Sequence, residues 1–267
     1  MSYVSIDKPR PHVSRVTLNR PERMNAMAFD VMLPFRAALQ EVSADNDTRV
    51  VVITGAGEGF CSGADMEESG TLPNIAGLTR SSIALRAMEL LDDVILALRR
   101  MHQPVISAVN GAAIGGGLCL ATACDIRIAS DRAYFRAAGI NNGLTSTELG
   151  LSYLLPRAIG SSRAFEIMLS GRDVDATEAE RIGLVSRTVP HDDLLPACYE
   201  VADRIIGFSR VGVEVTKRLL WSSLDAGSLH SHMDHEGQAQ LYVRLTTENF
   251  EEAVRARQEQ RAPVYRD

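Results

Sequence analysis

The chain has 267 residues, 45% of them hydrophobic and 23% charged, a length that suits one large domain with a modest appendage and a composition that suits a packed core. Lys plus Arg number 28 against 34 Asp plus Glu, a net charge of −6, and no stretch concentrates enough positive charge to follow a phosphate backbone, so no nucleic-acid partner is expected. The longest weakly polar run, Gly111 to Cys124, is too short for a bilayer span, so the protein is expected to be soluble and without a membrane partner.

The opening residues, MSYVSIDKPRPH, lack the apolar stretch of a secretory signal, and the expected address is cytoplasmic. Four cysteines, Cys61, Cys119, Cys124 and Cys198, form no CxxC pair and read as buried thiols without a disulfide. Residues 13–18, VSRVTL, alternate as a strand and run into Asn19-Arg20-Pro21; helical spacing then holds from about Phe29 to Val42. The run Arg49 to Thr54 is short, β-branched and closed by Gly55, which predicts a central strand buried on both faces. Pro104 to Gly111 predicts another strand, followed by Gly115-Gly116-Gly117 and a helix of small residues, and Asp125 to Ser130 predicts a further strand. Strand, turn and helix recurring in this order imply an α/β architecture. After Pro190 the strand signals stop, and amphipathic spacing predicts helices near 193–206, 209–224, 228–246 and 248–257. The expected organisation is an α/β body over residues 1–191 and a helical C-terminal subdomain over 192–267. That subdomain is too small for a core of its own, so it is expected to pack on the body or on neighbouring subunits.

Two glycine-rich loops carry the chemistry. The first, GAGEGFCSGADMEES from Gly55 to Ser69, follows a buried strand, but its G-x-G-x-G spacing does not open straight into a helix as a dinucleotide fingerprint must. Its glycines instead allow a ligand close to the backbone, where exposed N–H groups attract negative charge. The second, Gly115 to Gly117, has the same potential and opens a helix. Each loop could give one N–H to a single developing anionic oxygen, which is an oxyanion hole.

With these loops stand NRPERMNAM from Asn19, VVVITGAGEGFCSGADM from Val50, QPVISAVNGAAIGGGLCLATACDIRIA from Gln103 and AERIGLVSRTVP from Ala179. Four blocks in this order, covering nearly the whole chain, resemble the crotonase superfamily, which contains enoyl-CoA hydratases and enoyl-CoA isomerases. The resemblance implies a crotonase-like spiral of repeated β-β-α units with a C-terminal α-helical subdomain that promotes trimers or dimers of trimers. It implies an acyl-CoA thioester as substrate and no separate cofactor. It assigns the two oxyanion donors to the amides of Ala64 and Gly116, and it places CoA along Arg23, Met24 and Ala26 and along Ser62, Ala64, Asp65 and Met66, mostly through backbone.

Hydration of a 2-enoyl thioester needs a base for water and an acid for the α-carbon, and the family's hydratases use two glutamates. Here the first of those positions is Cys119, and the second is Gly139 or Ile140; neither set transfers a proton. Glu148, in GLTSTELGLSYLLPRAIG, falls where several family isomerases carry a catalytic acid. Moving a double bond from the 3 to the 2 position needs one base, so isomerisation with Glu148 as single proton shuttle is the leading expectation. A hydratase with a nonstandard acid/base set and a catalytically inactive acyl-CoA binder are the alternatives. Glu148 should then face the Ala64 and Gly116 amides with a pKa raised by burial. The competing reading makes it an acid in the first turn of a helix capped by Thr145, Ser146 or Thr147.

Other groups are expected to be bystanders. His230, His232 and His235 fall on different faces of one helix and are expected at the surface or an interface, with no metal. Asn141 and Asn142 either orient a substrate or form a turn. Asp65, Glu67 and Glu68 are expected as capping or solvated residues, since acids repel a CoA phosphate. Arg255, Arg257 and Arg261 are candidates to meet CoA phosphates or else a solvated helix face. The helix and loop between Leu72 and Leu98 are expected to wall the acyl pocket.

Overall fold

The computed structural model describes residues 2–267. Its main sheet has six strands in the order β1-β2-β3-β4-β6-β9. They are β1 (Val4–Arg10), β2 (Val13–Leu18), β3 (Val50–Gly55), β4 (Val105–Val109), β6 (Ile126–Ser130) and β9 (Arg187–Val189). A second sheet, in the order β5-β7-β8, is built from β5 (Ala112–Ile114), β7 (Tyr134–Arg136) and β8 (Val174–Asp175). In the main sheet only β1 runs antiparallel, against β2; all other pairs are parallel. The helices are α1 (Phe29–Ala44), α2 (Arg80–Arg100), α3 (Gly116–Ala123), α4 (Leu151–Ile159), α5 (Ser161–Ser170), α6 (Ala176–Arg181), α7 (Leu194–Ile206), α8 (Arg210–Ser223), α9 (Leu229–Thr246) and α10 (Asn249–Gln258). Main-sheet strand, second-sheet strand and helix follow one another in β4-β5-α3 and again in β6-β7-α4, the repeated β-β-α unit.

The β-branched run at β3 is buried at all six positions, because apolar layers cover both faces of the sheet. With a side-chain period of two, Val50 and Val52 join Ile106, Ala108 and Ile128 in packing under Leu194, Cys198 and Ala202 of α7. Val51 and Ile53 face the opposite layer with Phe35, Leu39, Leu98 and Leu118. Every residue of α3 is buried, which small residues permit because they let backbone approach backbone.

The strand β1 was not expected. It is an edge strand whose burial alternates only at Val4 and Ile6, and Lys8 and Pro9 are residues an edge tolerates and a centre does not. The four C-terminal helices lie where amphipathic spacing puts them, each within a few residues. Among the described residues, no helix is long and apolar enough to cross a membrane.

Candidate active site

The two glycine loops are brought side by side by backbone register. Cys61 pairs in parallel with Ala113 of β5, with Cys61 N donating to Ala112 O at 2.9 Å and Ile114 N to Cys61 O at 3.0 Å. Continuing that register puts Gly63 beside Gly115 and Ala64 beside Gly116. The residues on either side of Ala64 are both held by Met27: Met27 N donates to Gly63 O at 2.7 Å, and Asp65 N donates to Met27 O at 3.3 Å. In a parallel bridge of this kind the central residue turns its own N–H to the other side. Among the described residues, neither the Ala64 N–H nor the Gly116 N–H has a protein acceptor. Gly116 is the first residue of α3, where an amide has no partner within the helix and the dipole is positive.

Each free amide follows a glycine with positive φ, Gly63 at +81° and Gly115 at +52°, a conformation that side chains with a Cβ rarely adopt. A Cβ built at Gly63 would sit 2.6 Å from Ile114 O and 3.3 Å from Gly116 N, so the two turns touch. Met27 fills the remaining space with its Sδ against Gly116. Two adjacent donors beside a helix N-terminus can bind a single anionic oxygen.

Glu148 completes the cluster. Its Oε1 lies 3.4 Å from where a Cβ of Gly115 would be. Its carboxylate has no hydrogen-bond or ion-pair partner among the described residues, and burial alone raises its pKa above the ordinary glutamate value. Glu148 is not a first-turn acid. The helix α4 begins at Leu151 with Gly150 as N-cap and no side-chain cap. Ser146 instead donates to Ala137 O at 3.1 Å and accepts from Ile140 N at 3.0 Å, tying down the preceding loop. Leu149, buried and at φ +46°, packs its Cδ1 3.5 Å from the Cβ position of Gly116. A leucine in the left-handed region is strained, and here that turn carries the neighbouring glutamate toward Gly115.

Cys119 lies under this site. It is fully buried, its Sγ donates to Gly115 O at 3.2 Å, and burial, reinforced by Glu148, pushes its thiol well above the ordinary range. Gly139 and Ile140 bring no titratable group, and Asn141 ties its amide to Gly171 O at 3.1 Å as part of a turn.

The strip expected to meet CoA is assembled as one surface. Ser62 N donates to Met24 O at 3.0 Å and Ser62 Oγ to Arg23 O at 3.3 Å, so residues 23–27 and 62–66 run together. Met66 is exposed and Ala26 buried. Of the two expectations for Asp65, capping holds and solvation does not: its carboxylate accepts from the Glu67 and Glu68 amides. The side chain is 1% exposed and ion-paired to Arg20 at 2.8 Å and Arg23 at 2.9 Å. Hydrogen bonds from the Glu68 amide, the Glu67 amide and both arginines hold its carboxyl far below the usual range, against the opposing effect of burial. Glu67 and Glu68 are exposed and pair with Arg23 and Arg20 in turn.

Two further expectations are revised. His232 is buried, 3.5 Å from Glu236, while His230 and His235 are exposed. Arg261 is held by Glu252 and Glu259, so its charge is already matched. Arg20, Asn25, Met27 and Leu149 were not foreseen. Asn25 had a local signal, since asparagine tolerates the left-handed backbone it adopts at φ +56°; the partners of Arg20 lie about 45 residues away, beyond any local pattern.

A family model described as enoyl-CoA hydratase/isomerase matches residues 10–267. The chain is 70% identical over 267 residues to a probable enoyl-CoA hydratase, echA12, of Mycobacterium bovis, covering 100% of this chain and 94% of that protein. Among solved structures, a probable enoyl-CoA hydratase/isomerase from Mycobacterium abscessus superposes with a TM-score of 0.96 at 69% identity, covering 100% of this chain and 99% of that one. A monofunctional enoyl CoA isomerase from M. smegmatis superposes with a TM-score of 0.75 at 64% identity, covering 87% of this chain and 99% of that one.

Proposed function

The chain belongs to the enoyl-CoA hydratase/isomerase family, and from that premise we propose that it is an enoyl-CoA isomerase moving a double bond from C3 to C2. The observation that carries the reading is the Glu148 carboxylate: partly buried, without a protein partner, raised in pKa and set beside Gly115. The Ala64 and Gly116 amides hold the thioester oxygen. Glu148 removes a proton from C2, negative charge spreads over the dienolate and is stabilised at that oxygen, and the same carboxyl returns the proton at C4. One group serves both transfers, so the buried thiol at Cys119 is not required to titrate. The isomerase name of the M. smegmatis protein supports this assignment.

CoA lies along Arg23, Met24 and Ala26 and along Ser62, Ala64, Asp65 and Met66. Asp65 contributes its backbone, because its carboxylate is engaged. Exposed Leu85 and Met88 of α2 supply apolar surface for an acyl chain. Leu229, Met233, Leu241 and Leu245, all exposed on α9, support assembly into a homotrimer or a dimer of trimers, and four unpaired cysteines support a reducing, cytoplasmic setting.

The hydratase reading is favoured by the name of the M. bovis relative, and one experiment separates the two. Purified protein is followed by NMR in deuterated water with a 3-enoyl-CoA and with a 2-enoyl-CoA, in wild type and Glu148→Gln. Double-bond migration with deuterium uptake, abolished in the variant, is the expected result. Water addition that survives the substitution would establish a hydratase with another base, and binding without any exchange would make the protein an acyl-CoA binder.

A further inference from the structure

The most heavily bonded carboxylate near the site belongs to Asp65, directly after the first free amide. It accepts from Glu67 N at 3.0 Å, Glu68 N at 2.9 Å, Arg23 Nη2 at 2.9 Å and Arg20 Nη1 at 2.8 Å. Its exposure of 1% contrasts with 77% for the Glu67 side chain and 72% for that of Glu68. Such a closed carboxylate in a loop that is otherwise open is an anchor. Arg20 is buried in its turn. Its backbone N–H donates to Asn25 Oδ1 at 2.9 Å, and Asn25 Nδ2 donates to Ala56 O at 3.0 Å and Gly59 O at 2.8 Å. A chain of bonds thus runs from the end of β3 through Asn25 and Arg20 to the residue beside Ala64.

We infer that Asp65 is a positioning residue for the reaction, which fixes the direction of the Ala64 amide through its ion pair with Arg20; this rests on the oxyanion reading above. The backbone bonds of Met27 to Gly63 and Asp65 settle which side of the strip the Ala64 N–H faces. The Asp65 carboxylate, held by Arg20, Arg23 and two amides, fixes the residue on the other side of Ala64 and so limits rotation of the Gly63–Ala64 peptide. Catalysis by a preorganised donor depends on that rigidity, since a donor that must reorient stabilises the transition state less. Arg23 spans the same carboxylate and exposed Glu67; Arg20 is the buried member and the one joined to the core.

The test uses a probe that does not react. Butyryl-CoA labelled with 13C at the thioester carbon is bound to wild type, Glu148→Gln, Asp65→Asn and Arg20→Gln, and the carbonyl stretch is read by difference infrared spectroscopy. Wild type and Glu148→Gln should both shift the stretch to lower wavenumber. Asp65→Asn should lose about half of that shift or more and lower kcat by about tenfold or more, with KM changed by less than about threefold. If Asp65→Asn fails to fold, Arg20→Gln, which leaves both backbone bonds to the carboxylate in place, should show the same split. A full carbonyl shift in the folded variants would overturn the inference, and so would a rise in KM at constant kcat. A wild type that polarises the carbonyl but moves no double bond would refute the isomerase reading and leave this one standing. A wild type that binds the probe with no shift would overturn both.

Discussion

Replacing Gly63 and Gly115 by alanine in parallel tests whether the two turns act as one site. At both positions the new side chain meets a positive φ, which costs about 1–2 kcal/mol for a residue with a Cβ. They differ in space. At Gly115, φ +52°, the nearest atoms are Glu148 Oε1 at 3.4 Å and Ala138 Cβ at 3.7 Å, ordinary contacts that leave the backbone alone. At Gly63, φ +81°, the Cβ falls 2.6 Å from Ile114 O and 3.3 Å from Gly116 N, so backbone on one or both loops must move. Because the displaced backbone carries both free amides, Gly63→Ala should forfeit a donor, about 2.7–4 kcal/mol or 10²- to 10³-fold in kcat. Gly115→Ala should lose less, about 30-fold at most even if all of the strain fell on the transition state. Steady-state isomerisation of a 3-enoyl-CoA measures both, and thermal melts should fall by about 2–4 °C for each kcal/mol lost. A Gly63→Ala enzyme with kcat within about threefold of wild type, or one less impaired than Gly115→Ala, would refute a shared oxygen site.

Glu148→Gln should lower isomerase turnover by about 10²- to 10⁴-fold and raise the melting temperature. Burial lifts the folded-state pKa of Glu148, so the contribution of this group to stability is complete below its unfolded pKa and is lost as pH rises through the folded one; at neutral pH wild type bears that loss and the amide does not. For the same reason wild-type activity should fall on acidification at a pH above that of an ordinary glutamate, and an acid limb at the ordinary position would contradict the assignment. Lys217→Met should cost about 3–5 kcal/mol in chemical denaturation, because Lys217, 6% exposed, pairs with Asp125 at 2.8 Å and donates to Gln103 O at 2.8 Å; a loss below about 1 kcal/mol would show the pair to be dispensable. Burial pushes the thiols of Cys61, Cys124 and Cys198 up to about 12 and Cys119 well above its ordinary range. A thiol reagent at pH 8 should therefore label none of the four in the native protein and all of them after unfolding.

What could be read from the sequence follows the range of the interaction that fixes it. Periodicity gave β2, β3, β4 and β6 and the helices α1 and α7, whose buried faces show in their own residues; α8 and α9 were placed by apolar spacing although each buries only one residue, Lys217 and His232. The strands β5, β7 and β8, of three, three and two residues, are too short to alternate, and β1 is too exposed. The glycine loops and Glu148 were legible by resemblance of ordered blocks. What decides their geometry was not: the register of Cys61 on Ala113, the Met27 bridge and the Arg20–Asp65 pair join residues far apart in the chain. For Asp65 the sequence showed three acids in four residues and left capping and solvation open; it caps the Glu67 and Glu68 amides, and two arginines from the 20s loop bury it.

The backbone strain of the site follows the same division. Met24 and Asn25 lie at φ +46° and +56°, and Leu149 at φ +46°; for residues other than glycine each such conformation costs about 1–3 kcal/mol. Strain of that size persists only where surrounding contacts over-determine the turn. Asn25, with all three of its side-chain bonds directed to backbone, supplies them for the first loop. Leu149, buried against Gly116, supplies them by packing for the turn that carries Glu148. Leu149 therefore packs beside Gly116, and under the proposed reading the Glu148 carboxylate, with no hydrogen-bond partner among the described residues, is left free to serve both C2 and C4 of a bound acyl chain. An arrangement fixed by packing at the Cα and open at the carboxyl is the one the proposed single-base shuttle would use, and a Leu149→Ala variant that kept full isomerase turnover would contradict it.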